Sequence, residues 1–515
     1  MGPRNGGEQK SLSSHPQNDR DNSRNGILVE DEHDFVVKPC PSPFNLCVGK
    51  FNQFRLETDD ATGWLYNAIA GSTAIMSNIF LSTAFITLAE RELGCEDDNV
   101  ECGKVHGFKP SSLISMIGAA SGVISAFFLP YMGAVVDHSR HRRSLGMYAS
   151  LAFIVIQAIQ IGTMQWNWFF MVILQVVNGF VYQVIDLSVF AYLPEIGAQV
   201  KKRETFTWYN SLFSITGFAH QAGFLIIVVG IGLACHLDDH RIGQVGQFVD
   251  VIVSGGYFYI SWYYLTERKA RRPLKEGESL AVVGFKQTFK TGKGLISQYP
   301  RSIGLYFLGL AFSSAAVDSL SSVSVTFFNE VLKFDAAQIG LIFLITLVFT
   351  LPGAYFAFWL ATKTNPLVAM KIFLATVFCV NFVSFSLLTD PSKAIEAYFC
   401  SIAWGFCLGM YYPLMKIIFS TIVPRGQEAE LAGFFKYSSQ IIVWLPPLIF
   451  TVMNEKGVNL SLAGMSINIF VFVALILYSG MLPWDQCLED AKVNRMSSIE
   501  LRCDNFVVNE EGELL

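Results

Sequence analysis

Two side chains of opposite charge stand at matching positions in two otherwise apolar stretches of the sequence. Asp186 lies in "VNGFVYQVIDLSVFAYLP" and Lys416 lies in "CLGMYYPLMKIIFSTIVP". Each charge precedes the proline that ends its stretch by eight residues. Inside a membrane such charges are costly, so they pair with one another or mark the path of a solute. A carboxylate opposite an ammonium suits a zwitterionic solute, because each end of the solute meets an opposite charge.

The two stretches match at further positions, which indicates an internal repeat. With the final prolines aligned, Gly179 falls on Gly409 and Tyr182 falls on Tyr412. Each tyrosine lies four residues before the charge of its own stretch, so the phenol and the charge share one helix face. Repeated halves related by an axis along the membrane normal would place the two charges on facing helices across a central cavity. The expected depth is about 12 Å from the inner helix end, from eight residues at the usual helical rise.

Several arrangements remain open for these charges. Lys416 is balanced by Asp186, by substrate, or by each in turn. A permanent ion pair that locks the two halves together is an alternative. Another is that the Lys416 side chain extends to the inner membrane surface.

The composition of the chain is that of a membrane protein. Apolar residues make up 52% of the 515 residues and charged residues 15%, against about 25% charge in soluble proteins. The net charge of −5 gives no basic surface for nucleic acid. We find no spacing typical of a zinc site, a nucleophile elbow or a phosphate loop, so we expect no metal, no cofactor, no nucleic-acid partner and no enzymatic activity.

Apolar segments of about 20 residues are long enough to cross a bilayer. The predicted fold is therefore an all-α membrane protein with twelve transmembrane helices in two six-helix pseudo-repeats. The twelve segments are 63–89, 111–135, 145–163, 167–194, 206–234, 246–265, 302–328, 336–361, 367–388, 394–422, 430–453 and 461–483.

The basic loops divide and orient these spans. Lysines and arginines cluster after the second, fourth and sixth spans, and such loops stay on the cytosolic side. Both termini should then be cytosolic. The predicted organisation is a disordered N-terminal tail (1–60), a first six-helix bundle (61–265), a basic linker (266–300), a second six-helix bundle (301–483) and a C-terminal tail (484–515).

The linker contains "GFKQTFKTGKGLI", in which Phe and Lys recur at loose helical spacing. One interpretation is a short amphipathic helix on the anionic inner leaflet. The alternative is a solvated basic linker.

Other polar residues within the spans are candidates for substrate or proton binding. Asp318 lies among small residues in "SSAAVDSLSS" and is a candidate proton carrier or ligand for a substrate ammonium, the alternative being an interhelical pair. His220 could titrate in an acidic compartment, but a neutral hydrogen-bonding role is the alternative. Asn67 and Gln183 are candidate amide ligands, and Asn67 could equally bond between helices.

Four further features are predicted nearer the membrane surfaces. Lys436 and Asp250 are expected near helix ends, where they reach water. Cys95 and Cys102 share the first outer loop and could form a disulfide in a vacuolar lumen. Glutamates that follow the repeated prolines are expected to form gate or loop salt bridges with basic inner loops. These glutamates are Glu195, Glu428 and Glu430.

The loop after the second span carries the stretch "GAVVDHSRHRR". It resembles the loop signature of the major facilitator superfamily, with Gly133, then Asp137, then basic residues. In that reading the glycine allows close helix approach, the aspartate caps or pairs at a neighbouring helix end, and Arg142 and Arg143 hold the inner leaflet side. Arg140 departs from the signature, where a glycine is common.

Three other stretches narrow the resemblance: "GWLYNAIAGS", "FAYLPEI" and "PRGQEAELAGFFKYSS", the last followed by "WLPPLIF". Together they resemble the autophagy-related protein 22-like vacuole effluxers, a branch of the major facilitator superfamily. The similarity extends from about Gly63 to Leu482, and Leu431 and Ala432 depart from the family pattern. The resemblance implies export of amino acids from vacuoles to the cytosol during autophagy, across a vacuolar or lysosomal membrane.

The expected function is therefore a secondary active or facilitative transporter that works by alternating access. Its expected partners are a small-molecule substrate and the lipid bilayer, and protons are a candidate coupling ion. A carrier of another solute, such as a sugar, an organic acid or a lysolipid, is the first alternative. A solute sensor or scaffold in autophagy that shows no flux is the second. The C-terminal "EEGELL" matches an acidic dileucine sorting pattern, which suits a vacuolar address.

Overall fold

The computed structural model describes residues 56–95, 103–199, 203–268, 279–298, 300–423 and 428–490. All of them belong to one unit, Gln53–Leu515. Most of the two predicted tails, Cys102 and the side chains of Glu428 and Glu430 lie outside the described residues.

The described chain is helical apart from an isolated bridge between Val105 and Phe108. The first half contains α1 (Asp59–Leu93), α2 (Leu113–His138), α3 (Arg142–Gln160), α4 (Trp168–Phe190), the short α5 (Leu193–Gln199), α6 (Arg203–Ala234) and α7 (Asp239–Tyr264). The linker forms α8 (Leu280–Gln298). The second half contains α9 (Leu305–Leu332), α10 (Ala336–Lys363), α11 (Pro366–Leu387), α12 (Ala394–Ile422), α13 (Glu428–Gln440), α14 (Leu445–Glu455), α15 (Leu460–Met465) and α16 (Ile467–Ser479).

Within the described residues, nine helical segments are long and apolar enough to cross a membrane. They correspond to α1, α2, α4, α6, α9, α10, α11, α12 and the α15–α16 pair. The remaining predicted spans are α3, α7 and the α13–α14 pair. The last is interrupted at residues 441–444, just before Pro446 and Pro447, because proline removes a backbone donor and its ring clashes with the preceding turn. The all-α membrane fold is confirmed, and the count of twelve spans stays a prediction.

The predicted start of the sixth span lies too far along the sequence. Its hydropathy indicated a start at residue 246, but α7 begins at Asp239 because the helix continues through a polar segment. Asp250 therefore lies eleven residues inside the helix, and none of its surface is exposed. The expectation that it reaches water near a helix end is wrong.

Glycines bring the second and fourth helices of each half into close contact. A Cβ atom at Gly409 of α12 would lie 2.0 Å from the carbonyl oxygen of Thr350 in α10. A Cβ at the aligned Gly179 of α4 would lie 2.3 Å from Oγ of Ser121 in α2. The two glycines that the repeat alignment matched thus serve equivalent helix contacts, as small residues do between membrane helices.

We call the side where α1 begins the inner face and the opposite side, where α1 ends, the outer face. At the inner face the linker helix α8 packs along α2. A Cβ at Gly284 would lie 2.4 Å from the carbonyl oxygen of Pro130, and Nε2 of His138 lies 2.8 Å from Oε1 of Gln287. The side chains of Val282 and Phe289 are on the exposed side, Phe289 with 76% of its surface accessible. The amphipathic helix is confirmed, and its contact with anionic lipid stays a prediction.

The close approach at Gly284 predicts that a larger residue will release α8 from α2. We expect Gly284→Val to accelerate tryptic cleavage at the α8 lysines several-fold, because local opening governs proteolysis of a helix. Limited proteolysis of the purified protein measures this. The matched control is Gly294→Val in the same helix, where an added Cβ meets nothing within 4 Å. Equal cleavage of the two variants would contradict the prediction.

Candidate functional site

The carboxylate of Asp186 forms an ion pair across the two halves of the molecule. Its partner is Nζ of Lys436 in α13. The Lys436 side chain is only 12% exposed, so the expectation that it reaches water is wrong. No ion pair joins Asp186 to Lys416 within the described residues, so in this structure Lys436 is the partner of Asp186, and the balance of Lys416 by Asp186 or by substrate stays a prediction. Lys416 lies one helix away, within electrostatic range of both Asp186 and Lys436.

Sequence reasoning missed Lys436 because the repeat alignment matches α4 with α12, whereas α4 meets α13 at the inner part of the molecule. One signal was available in the sequence. Lys436 is a second lysine within an apolar stretch, eight residues after the start of α13 at Glu428. A charge in that setting calls for a partner.

Asp318 of α9 lies beside the same group of residues. Its Oδ1 accepts a hydrogen bond from the Tyr412 hydroxyl at 3.4 Å, and Lys436 and Gln440 are its other polar neighbours. Tyr182 of α4 interacts electrostatically with Asp318 from the opposite half. The predicted residues Asp186, Lys416, Asp318, Tyr182 and Tyr412 are therefore brought together, with Lys436 added; we call these six residues the central cluster.

Aromatic rings separate the central cluster from the inner face. Phe190 lies one helical turn beyond Asp186 in α4, and its ring stacks on Phe435 of α13 with centroids 5.5 Å apart and an interplanar angle of 7°. Phe435 also contacts Phe419 of α12 at 4.6 Å. The stack joins the two halves below the cluster, and no motif in the sequence indicated it.

At the outer face, a polar network joins the start of α2 to the end of α14. The backbone N–H of Lys109 donates to Oε1 of Glu455 at 2.7 Å, and Lys104 pairs with Glu455 at 2.6 Å. Beside it, Asn454 donates to Ser111 at 2.8 Å. These bonds hold the two halves together on the outer side of the cluster.

A second ionic network lies at the inner face within the first half. Arg142 pairs with Glu195 at 2.7 Å, and Arg268 pairs with both Glu195 and Asp60. Arg142 is almost fully buried and its guanidinium lies 5.3 Å from the centroid of Tyr192. Arg142 lies at the inner face, but its charge is neutralised by Glu195 inside the helix bundle, so its role at the leaflet stays a prediction. Glu195 does form a loop salt bridge, and its gating role stays a prediction.

Two other residues of the loop signature also differ from expectation. Arg143 donates to the carbonyl oxygen of Trp262 at 2.6 Å and so ties α3 to α7. A Cβ at Gly133 would meet nothing within 4 Å, so the expected close approach at that glycine is wrong. Gly133 and Asp137 instead line an open crevice of about 530 Å³ between α2, α4, α8 and α13. The close helix contact is made at Gly284.

The remaining predicted residues lie away from the central cluster or are only partly described. Asn67 donates to Ser261 at 3.3 Å, so it bonds between α1 and α7. The His220 ring lies 2.8 Å from the carbonyl oxygen of Thr216 in its own helix. The side-chain oxygen of Gln183 is buried without a hydrogen-bond partner. Cys95 is disulfide-bonded.

A family model described as vacuole effluxer Atg22 like matches residues 58–492. This range contains every described helix. The chain belongs to this family.

Curated members of the Atg22-like family are distant in sequence. Autophagy-related protein 22 of Kluyveromyces lactis is 20% identical over 188 residues, which cover 35% of this chain and 38% of the relative. The protein of the same name from Yarrowia lipolytica is 22% identical over 194 residues, covering 37% and 33%. The matched region therefore spans only about a third of the length of each relative.

Solved structures of major facilitator transporters share the fold. The human organic anion transporter MFSD10 superimposes with a TM-score of 0.54 at 12% identity, covering 82% of this chain and 99% of that one. A bacterial homologue of the iron transporter ferroportin, in its outward-facing state, gives a TM-score of 0.51 at 15% identity with the same coverage. At these identities the likeness shows the fold alone.

Proposed function

We propose that this protein is a transporter that exports amino acids from the vacuolar or lysosomal lumen to the cytosol by alternating access. The observation that carries the proposal is the central cluster, in which two carboxylates and two ammonium groups from both halves lie together inside the membrane fold. Family membership supports the vacuolar address and the direction of export.

The chemistry of the central cluster suits a zwitterion. Lys416 makes no ion pair with any described residue, so its ammonium can receive a substrate carboxylate. Asp318 forms no ion pair with any described residue; its polar neighbours are Tyr412, whose hydrogen bond is long at 3.4 Å, Gln440 and Lys436, so its carboxylate can receive a substrate ammonium. Charged groups at membrane depth are stabilised by such partners.

The contacts on either side of the cluster support alternating access. The outer side is joined by the Glu455 network, whereas the inner side is joined by the Asp186–Lys436 pair and the Phe190–Phe435 stack. A substrate carboxylate that approaches Lys436 competes with Asp186 for the ammonium. Loss of that pair would remove one of the contacts that join the halves on the inner side and so favour opening to the cytosol.

Counterflow in proteoliposomes with pooled labelled amino acids tests the proposal. We expect wild-type protein to exchange amino acids, and we expect Lys416→Gln and Asp318→Asn each to lower the initial rate at least tenfold, because each removes one of the two groups that bind the zwitterion. The matched control is Lys393→Gln, which removes a lysine that pairs with Glu396 at the molecular surface.

Three outcomes would contradict this function. Flux of a sugar, organic acid or lysolipid without amino-acid flux would identify another carrier. Thermal stabilisation by amino acids without flux would identify a sensor. Normal exchange in both site variants would place the solute elsewhere.

A further inference from the structure

A polar stripe runs along α7 from the outer face into the first half of the molecule. His240, Gln244, Gln247 and Asp250 recur every three or four residues and therefore share one face of the helix. His240 and Gln244 are partly accessible at the outer end, whereas Gln247 and Asp250 are fully buried. The stripe spans about 15 Å, from ten residues at the usual helical rise.

Helix α3 presents a matching polar edge to this stripe. The carbonyl oxygen of Thr163, just after α3, lies 2.6 Å from Nε2 of His240 and accepts a hydrogen bond from Gln244 at 2.9 Å. Deeper in the bundle, Gln157 donates to Ser77 of α1 at 3.3 Å and is a hydrogen-bonding neighbour of Asp250. Polar groups thus continue from the outer face to the buried carboxylate.

Asp250 carries no compensating charge. Its Oδ1 accepts a hydrogen bond from Ser254, which in turn contacts Thr73. No lysine, arginine or histidine among the described residues forms an ion pair with it. An ionised carboxylate in such a setting is strongly unfavourable, because neutral hydrogen-bond donors do not replace the lost solvation.

Other titratable groups on the neighbouring helices do not supply the missing charge. From α6, the His220 ring contacts Tyr257 edge-on and bonds to its own helix. On α3, Tyr148 is 64% exposed. The acidic and basic residues of α1 lie in its terminal turns, and those of α7 other than Asp250 lie in its first turn. These terminal residues are Asp59, Asp60, Glu90, Arg91, Glu92, Asp239, His240 and Arg241.

Buried polar atoms without hydrogen-bond partners surround the Asp250 carboxylate and indicate what neutralises its charge. Oδ2 of Asp250, Oε1 of Gln157 and both amide atoms of Gln247 are buried and have no hydrogen-bond partner in the described part of the chain. A proton on Oδ2 would remove the uncompensated charge and provide a donor for one of the amide oxygens. The hydroxyl of Ser254 already contacts the other carboxylate oxygen, and a proton needs only one acceptor, whereas a metal cation needs several oxygen ligands.

We propose that Asp250 is a proton-binding site, separate from the central cluster, and that the α7 stripe from His240 to Gln247 connects it to the outer face. The proton is bound to Oδ2, and the resulting O–H group donates a hydrogen bond to a neighbouring glutamine oxygen. The site does not depend on which solute the protein carries.

Infrared spectroscopy of the purified full-length protein in nanodiscs, without solute, tests this site. At neutral pH we expect a protonated-carboxyl C=O band that shifts when H2O is replaced by D2O. The band should be absent from Asp250→Asn. It should persist in Asp186→Asn, because the Asp186 carboxylate is already paired with Lys436. A wild-type protein without the band, or a band retained in Asp250→Asn, overturns the proposal.

Two further variants keep the test decisive. Should Asp250→Asn fail to fold, Ser254→Ala should retain the band but shift its frequency, because the hydrogen bond to the carboxyl group is lost; an unshifted band overturns the assignment to Asp250. Gln247→Leu should slow the D2O shift of the band at least several-fold if the stripe is the route. An unchanged rate overturns the route. None of these measurements uses transport, so failure of the proposed amino-acid export leaves them interpretable.

Discussion

Lys436→Gln will lower amino-acid counterflow about tenfold or more, and Asp186→Asn will do the same. Each change leaves the opposite charge without its partner across the two halves. A tenfold lower rate corresponds to a free-energy change of ~1.4 kcal/mol. This is close to the lower limit of the net stabilisation by a hydrogen bond to a charged group, about 1.5–3 kcal/mol. We take this lower value because Asp186 is 39% exposed and solvent weakens the pair.

A double variant with the two charges exchanged distinguishes the effect of the ion pair from the effect of each charge by itself. Asp186→Lys combined with Lys436→Asp should recover a measurable part of the exchange lost in the single variants, because the ion pair forms again with opposite polarity. The rates are measured by counterflow at matched protein content in the vesicles. Wild-type exchange in Lys436→Gln would show that the pair is not broken and formed during transport.

Gly409→Ala will lower the thermal unfolding midpoint markedly. The added methyl group would lie 2.0 Å from the carbonyl oxygen of Thr350, so α12 and α10 must separate. Overpacking of this kind costs about 1–3 kcal/mol, more than the 0.5–1 kcal/mol that alanine gains over glycine inside a helix. Gly353 and Gly405 make equally close contacts at the same interface, so little room exists for adjustment.

The control for this experiment is Gly230→Ala in α6, where an added Cβ meets nothing within 4 Å. We expect its midpoint to be unchanged or slightly raised. Differential scanning fluorimetry of both purified proteins provides the comparison. Equal midpoints for the two variants would mean that the α10–α12 contact relaxes without cost.

The central cluster and the Asp250 site compensate their buried carboxylates in different ways. In the cluster, acids and bases from two halves face one another, so their pairing would change in the proposed transport cycle. Asp250 lies within one half among α1, α3 and α7, away from the contacts between the halves. We therefore expect solute binding and proton binding to be separable by mutation, with Lys416→Gln leaving the infrared band of Asp250 intact.

Hydropathy was enough to predict the helical membrane fold, and repeat alignment matched Gly179 with Gly409, whose close helix contacts only the structure revealed; the linker helix was one of two interpretations of its sequence. These features depend on local composition and on neighbours along the chain. Five of the six residues of the central cluster were candidates from the sequence, because Asp186, Lys416 and Asp318 are conspicuous charges in apolar segments, whereas Lys436 was not among them; their role in binding solute stays a prediction.

The tertiary structure alone decided which charges pair. Lys436 rather than Lys416 meets Asp186, and Arg142 turns inward to Glu195 instead of the membrane surface. Asp250 is buried for the same reason, since the rotation of α7 places its polar stripe against α1 and α3. An apolar membrane helix has little amphipathic signal to fix its rotation, so the direction of each side chain follows from close packing at glycines and from the crossing of helices that are distant in the sequence.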